Sequence, residues 1–147
     1  MNKIFDLSNK RILIVGATGV LGRVYSESLA KAGAKLVIAD IEGTDVRNLA
    51  ESLDIDYVEI DVSSEDSVIQ AIKNVSTKLG GLDGLINNAA ATGEGLLRSG
   101  EVFSNFENYP LSVWKKTLDI NLTGSFLVSR EAGKLIKSRV FFQTESG

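Results

Sequence analysis

The chain has 147 residues, 44% of them apolar, with 16 basic and 19 acidic side chains for a net charge of -3. That size suits one domain with a real core, and the balanced charge provides no basic footprint for nucleic acid or an anionic membrane. Cysteine and histidine are both absent, which excludes disulfides, thiolate metal sites, cysteine nucleophiles and the usual general base.

The N-terminus, "MNKIFDLSNK", is polar and mixed. It has no apolar h-region, and no run in the chain approaches transmembrane length, so the expectation is a soluble cytoplasmic protein with no membrane partner. Residues 12–15, "ILIV", form a continuous apolar run rich in β-branched residues, as in a strand buried on both faces. Leu21, Val24, Tyr25, Ser28, Leu29 and Ala32 then recur at helical spacing, and Gly33 closes that helix. Residues 36–39, "LVIA", read as a second buried strand, 44–53 as a short helix, and 57–60 as a third strand ending at Asp61-Val62. In "SSED", Ser63 with Asp66 three residues later fits a capping box, opening a helix that carries Val68, Ile69, Ile72, Val75 and Leu79. Residues 84–89 make a fourth, shorter strand. The stretch before Tyr109 is a glycine-punctuated loop, too long to be a mere connection. After Pro110, the only proline, a helix is expected over 112–137, roughly 35–40 Å long at about 1.5 Å per residue. Gly124 and Gly133 inside it point to close packing against a cofactor or a partner helix. The alternation β-α-β-α-β-α-β predicts an α/β fold of the Rossmann type: a doubly wound parallel sheet in three αβα layers, formed by residues 1–147 as a single domain.

The richest stretch is "GATGVLG", residues 16–22, between the first strand and the first helix. In that context Gly16 permits a tight turn, missing Cβ atoms let a pyrophosphate approach the backbone, and the first helical amides face the anion. Gly16, Thr18, Gly19, Val20, Leu21 and Gly22 are therefore candidate cofactor residues. A phosphate-binding P-loop is excluded, because Gly22 is followed by Arg23-Val24 rather than Lys-Ser/Thr. Asp40 ends the second strand 18 residues beyond Gly22, where an acid can accept from both adenosine ribose hydroxyls. The same carboxylate repels a 2′-phosphate, so NAD is expected in preference to NADP. Asp61, at the end of the third strand, is less specific by itself.

"GATGVLG", Asp40, "DV" at Asp61-Val62, "NNAA" at Asn87 to Ala90 and "INLTG" at Ile120 to Gly124 follow in an order that resembles the short-chain dehydrogenase/reductase family over residues 10–137. The resemblance implies hydride transfer between NAD and a small-molecule alcohol or carbonyl. It implies that Asp61 and Val62 contact adenine, that Asn88, Ala89 and Ala90 line the cofactor site, and that Asn121 belongs to a catalytic Asn-Ser-Tyr-Lys set, holding a water in a proton relay. It also implies a homo-oligomer through the helix bearing Asn121, with Trp114, Leu118, Leu122, Phe126 and Leu127 supplying apolar surface.

The chain departs from the family pattern in three ways. Val20 stands where the family usually has its second glycine, and Gly19 comes one residue early, a spacing shared with nucleotide-sugar epimerases and dehydratases. Ala90 replaces a glycine. Above all, none of the three tyrosines, Tyr25, Tyr57 or Tyr109, has a lysine four residues later. The chain ends at Gly147, ahead of that Tyr-x-x-x-Lys segment, as if the C-terminal portion of the family domain were missing. The final "RVFFQTESG" reads either as a fifth strand over 140–144, with Ser146 near the family's catalytic serine, or as out-of-frame sequence in its place. The expectation is a chain inactive alone and prone to associate. The alternatives are a non-catalytic nucleotide-binding module that associates with an intact homologue, or half of a nucleotide-sugar epimerase or dehydratase.

Overall fold

The computed structural model describes residues 6–91 and 105–140, with side chains described as far as residue 136. Strand β1 (Arg11–Val15) leads into helix α1 (Val20–Lys31), followed by β2 (Lys35–Asp40), α2 (Val46–Leu53), β3 (Asp56–Glu59), α3 (Glu65–Leu79) and β4 (Gly84–Asn87). All pairings are parallel and the strand order is β3-β2-β1-β4. The chain thus moves outward from β1 to β3 and then crosses back to place β4 on the other side of β1. Ile14 faces Ile38 in one register and Ile86 in the other. The C-terminal ends of β1 and β4 therefore mark the point where the winding reverses, which is where doubly wound sheets bind ligands.

The period-2 alternation of the strands splits the core into two layers. Leu13, Val15, Val37, Ala39 and Val58 pack against Val68, Ile72 and Val75 of α3 and against Leu127, Val128 and Ala132 further along the chain. Ile14, Leu36 and Ile38 face the other way, onto Val46, Leu49 and Ala50 of α2 and onto Tyr25 and Leu29 of α1. Leu13, Ile14 and Val15 are 0% exposed, so β1 is covered on both faces, as its unbroken apolar run requires. Gly33 follows α1 with φ +85°, the left-handed geometry expected after a helix end.

The structure differs from the sequence reading at three places. Helix α3 is capped by Ser64, whose Oγ accepts from Ser67 N at 3.4 Å, so the acid-bearing box at Ser63 and Asp66 does not form. Ser67 Oγ instead accepts from Asp61 N at 2.9 Å, which ties the cap to the end of β3. The expected long helix consists of α4 (Leu111–Leu118), a π-helical segment (Asp119–Gly124) and α5 (Ser125–Val140), with right-handed helical dihedrals at both junctions. A π segment inserts extra residues per turn and re-aims the side chains it carries. Val140 ends α5 and so does not begin a strand; residues 141–147, including Ser146, lie outside the described residues, as does the loop over 92–104.

Candidate functional site

The glycine-rich turn is built by contacts of two kinds. Gly16 has φ +79°, and a Cβ there would sit 2.6 Å from Ala89 N. Its bareness lets β1 turn beside the end of β4, where Asn88 Nδ2 donates to Gly16 O at 3.0 Å and Asn88 N to Val15 O at 2.9 Å. A Cβ on Gly22 would overlap Gly16 O and come within 2.7 Å of Ala17 Cα, so Gly22 allows α1 to seat against the turn. Gly22 is buried, with Ser26 Oγ bonded to its carbonyl at 2.8 Å, and its contacts are with protein rather than with open space. Gly19 is of the second kind. Its φ is an ordinary -66°, and a Cβ would find Gly16 O at 3.5 Å as its nearest neighbour. Nothing in the protein demands a glycine there.

Gly19 is also the N-cap of α1, and no side chain caps that end. The amides of Gly16 and Ala17 are used on Ala39 O, and that of Thr18 on Asp40. The first turn of α1 beyond them contains no acid and keeps its positive dipole end uncompensated. It opens on a cleft of about 810 Å³. The cleft is lined by Gly16, Thr18, Gly19, Val20 and Leu21 of the turn, by Asp40, Asp61 and Val62 at the ends of β2 and β3, and by Asn88, Ala89 and Ala90 after β4. Eleven of the twelve predicted cofactor residues thus meet in one cleft, and Gly22 lies behind it. Val15, Ile41, Ile60, Ala91 and Ile120 also line the cleft without having been singled out, although each adjoins a motif residue. A second depression of about 630 Å³, along the outer edge of β3 by Arg47, Tyr57 and Lys78, contains none of the predicted residues.

Asp40 and Asp61 are both held in place. Asp40 Oδ2 accepts from Thr18 N and Thr18 Oγ1, each at 2.8 Å, and its Oδ1 accepts from Ile41 N at 2.9 Å. Asp61 Oδ1 accepts from Ser63 N at 2.9 Å and Ser63 Oγ at 2.6 Å. Val62, 8% exposed, packs on Gly124, where an added Cβ would stand 2.8 Å from Val62 Cγ2. The π segment can therefore approach the cleft only because that position is bare, whereas a Cβ on Gly133 would meet nothing within 4 Å.

Asn121 lies in the π segment and is absent from the cleft wall. Its Oδ1 accepts from Ala91 N at 2.7 Å and its Nδ2 donates to Ala91 O at 3.2 Å, a two-point clasp on the chain leaving β4. Asn87 Nδ2 donates to Ser125 O at 3.2 Å, fixing the same strand end to the start of α5. On the outside of the helix Leu111, Trp114, Leu122 and Phe126 are exposed and Leu118 is half-buried, an apolar stripe at helical spacing. Leu127, expected to belong to that stripe, is 7% exposed and belongs to the core. Leu85 and Ile86 of β4 are half-buried against the two core layers. Among the described residues no helix is long and apolar enough to cross a membrane, and no group of three or more acidic side chains gathers as a metal site would require.

Comparison with known proteins agrees with this architecture. Residues 10–140 match the short chain dehydrogenase family, and the chain belongs to it. It is 33% identical over 140 residues to the 3-oxoacyl-(acyl-carrier-protein) reductase FabG of Aquifex aeolicus, covering 90% of this chain and 53% of that protein. It is 33% identical over 133 residues to a 3-alpha-(or 20-beta)-hydroxysteroid dehydrogenase of Mycobacterium bovis, covering 89% and 48%. The crystal structure of a short-chain type dehydrogenase/reductase from Mycobacterium marinum superposes with a TM-score of 0.79 at 26% identity, covering 93% of this chain and 54% of that one. The chain spans about half the length of the curated relatives it matches.

Proposed function

We propose that this chain is the dinucleotide-binding part of a short-chain dehydrogenase/reductase, holding NAD for hydride exchange with an alcohol or carbonyl compound. One observation carries the reading: at Gly19 the protein leaves free the space a Cβ would take, directly before an uncapped helix end in a cleft. A pyrophosphate fits both features, since it needs close backbone approach and unpaired amides. In this reading Gly16, Thr18, Gly19, Val20 and Leu21 border the pyrophosphate, and Gly22 supports them from behind. Asp40 accepts from the adenosine ribose, Asp61 and Val62 flank adenine, and Asn88, Ala89 and Ala90 border the nicotinamide half.

Bound NAD supplies the hydride chemistry; the residues here bind it, orient it and shield it from water. Asn121 serves by holding Ala91, and through it the chain bordering the nicotinamide half. Proton transfer in the family rests on a tyrosine with a lysine four residues on, and the 147 residues contain no such pair. Without it, general acid–base assistance of about 10²–10⁴-fold is lost. A second reading is a nucleotide-binding module that works beside an intact homologue. The apolar stripe from Leu111 to Phe126 supports pairing of two copies along that helix.

Titration calorimetry of the purified chain tests both parts. NAD is expected to bind more tightly than NADP, and alcohol-dependent NAD reduction is expected to be absent. Equal or tighter NADP binding would overturn the role of Asp40. Turnover abolished by a change at Tyr25, Tyr57 or Tyr109 would overturn the inactivity of the chain alone.

A further inference from the structure

Strand β3 forms one edge of the sheet, opposite β4, and its outer side faces the depression of about 630 Å³ that Arg47 of α2 and Asn74, Thr77 and Lys78 of α3 also line. Ile60 N donates to Asp40 O at 2.9 Å, toward β2. Along a strand every second residue turns its backbone groups to the same side, so Asp56, Val58 and Ile60 are spent on β2. The N–H and C=O of Tyr57 and Glu59 point outward from the sheet. Two charged side chains flank them. Arg47 Nε donates to Tyr57 Oη at 2.8 Å, and Arg47 Cζ lies 5.7 Å from the centre of the Tyr57 ring. Glu59 is exposed on the same face of β3, two residues further on. The ion pairs among the described residues include neither Arg47 nor Glu59. Charges, lysine above all, usually blunt an exposed edge by repelling a second copy. Here the two are opposite in sign, so they attract one.

We propose that the outer edge of β3 pairs with the same edge of a second copy of this chain, antiparallel about a two-fold axis at Val58, joining two sheets into one. In that register Tyr57 stands opposite the partner's Glu59 and exchanges both backbone hydrogen bonds with it, at a Cα separation of about 5.5 Å. Arg47, lying over Tyr57, then meets the carboxylate of the partner's Glu59, and the axis repeats the pair at the other end. Centred on Tyr57 or on Glu59 instead, the contact would set Arg47 or Glu59 against its own copy, so charge selects the register. Helix α2 packs over both β2 and β3. The two α2 helices therefore stand about 10 Å apart in the pair, a distance at which helices pack. The strand has only four residues, so the contact is weak, with a Kd of about 100 µM. Helix α5 packs on β4, at the other edge of the sheet, so this contact is additional to that of the helix stripe.

Hydrogen exchange of the unmodified chain, read at the Tyr57 and Glu59 amides, tests this pairing apart from any contact of the helix stripe. For a Kd of about 100 µM, raising the concentration from about 10 µM to about 1 mM should slow both amides about fourfold. Arg47→Glu and Glu59→Lys should each abolish the slowing, because like charges then face each other at both ends of the contact. An equimolar mixture of the two variants should restore it, since each offers the charge the other lacks. Both positions are exposed, so the variants are expected to fold, which a thermal melt checks. The proposal is overturned if the two amides exchange at one rate at both concentrations, if either reversal keeps the slowing, or if the mixture fails to regain it. Amides already protected at about 10 µM and indifferent to concentration would mean that another stretch of the same chain covers the edge, which equally overturns it.

Discussion

Gly19 and Gly22 make opposite predictions, because one is bare for the sake of the protein and the other is not. In Gly22→Ala the new Cβ would overlap Gly16 O and approach Ala17 Cα to 2.7 Å, and both neighbours are backbone. Alanine in a helix ordinarily gains up to about 1 kcal/mol over glycine. Forcing a carbon into packed backbone costs about 1–3 kcal/mol or more, because α1 must draw away from the turn. The clash wins. For a chain of this length each kcal/mol moves the melting temperature by about 2–4 °C, so a net loss of about 1–2 kcal/mol lowers Tm by roughly 2–8 °C. In Gly19→Ala the Cβ has 3.5 Å of clearance and φ is ordinary. Exchange of an N-cap glycine for alanine costs only about 0.5–1.5 kcal/mol. NAD binding should nonetheless fall at least tenfold, roughly 1.4 kcal/mol or more, since the methyl stands where the pyrophosphate must approach. The assay is a thermal melt followed by circular dichroism, paired with NAD titration of each variant. A Gly22→Ala protein that melts with the unmodified chain would refute the packing argument. A Gly19→Ala protein with unchanged NAD affinity would refute the claim that this position is kept bare for a ligand.

Three further outcomes follow from particular contacts. Asn121→Ala removes both hydrogen bonds to Ala91, so hydrogen exchange at the Ala91 amide should quicken markedly, with a stability loss of about 1–2 kcal/mol at this solvent-accessible site. Leu122→Glu places a charge in the apolar stripe and should shift light scattering at micromolar concentration from dimer to monomer; a compact monomer from the unmodified chain would refute the stripe as an interface. Glu131 is buried and accepts from Lys134 and Arg130, and the Lys134 hydrogen bond is foremost in holding its carboxyl below the ordinary value of 4.5. A native value lowered in this way contributes stability that is complete above the unfolded value and is lost as the pH falls through the native one. The unmodified chain should therefore exceed Glu131→Gln in denaturant stability at neutral pH, and the gap should close in acid; a gap independent of pH would refute the ion-pair account.

The sequence by itself determined the order of elements, the parallel sheet and eleven of the residues that meet in the cleft. These are legible because they follow from local rules. An unbroken apolar run such as residues 12–15 must be buried on both faces, a glycine after a helical period ends the helix, and an acid at a strand's C-terminal end lies on the edge of the sheet where doubly wound folds bind ligands. Tertiary structure decided everything that depends on a neighbour distant in the chain. Ser64 rather than Ser63 caps α3 because Ser67 is drawn to Asp61 at the end of β3. Leu127, expected in the outer stripe, enters the core with Val128 and Ala132, on the face of α5 turned toward the sheet and α3. Gly22 and Gly19 look alike in "GATGVLG", yet one is pressed against Gly16 and Ala17 and the other opens on the cleft. Thr18 is legible in the motif as a cofactor residue, but only β2, laid parallel to β1, brings Asp40 within 2.8 Å of its hydroxyl. Periodicity reports which face of an element is apolar, but only packing in three dimensions sets which polar atoms come within hydrogen-bond reach and which positions must remain bare.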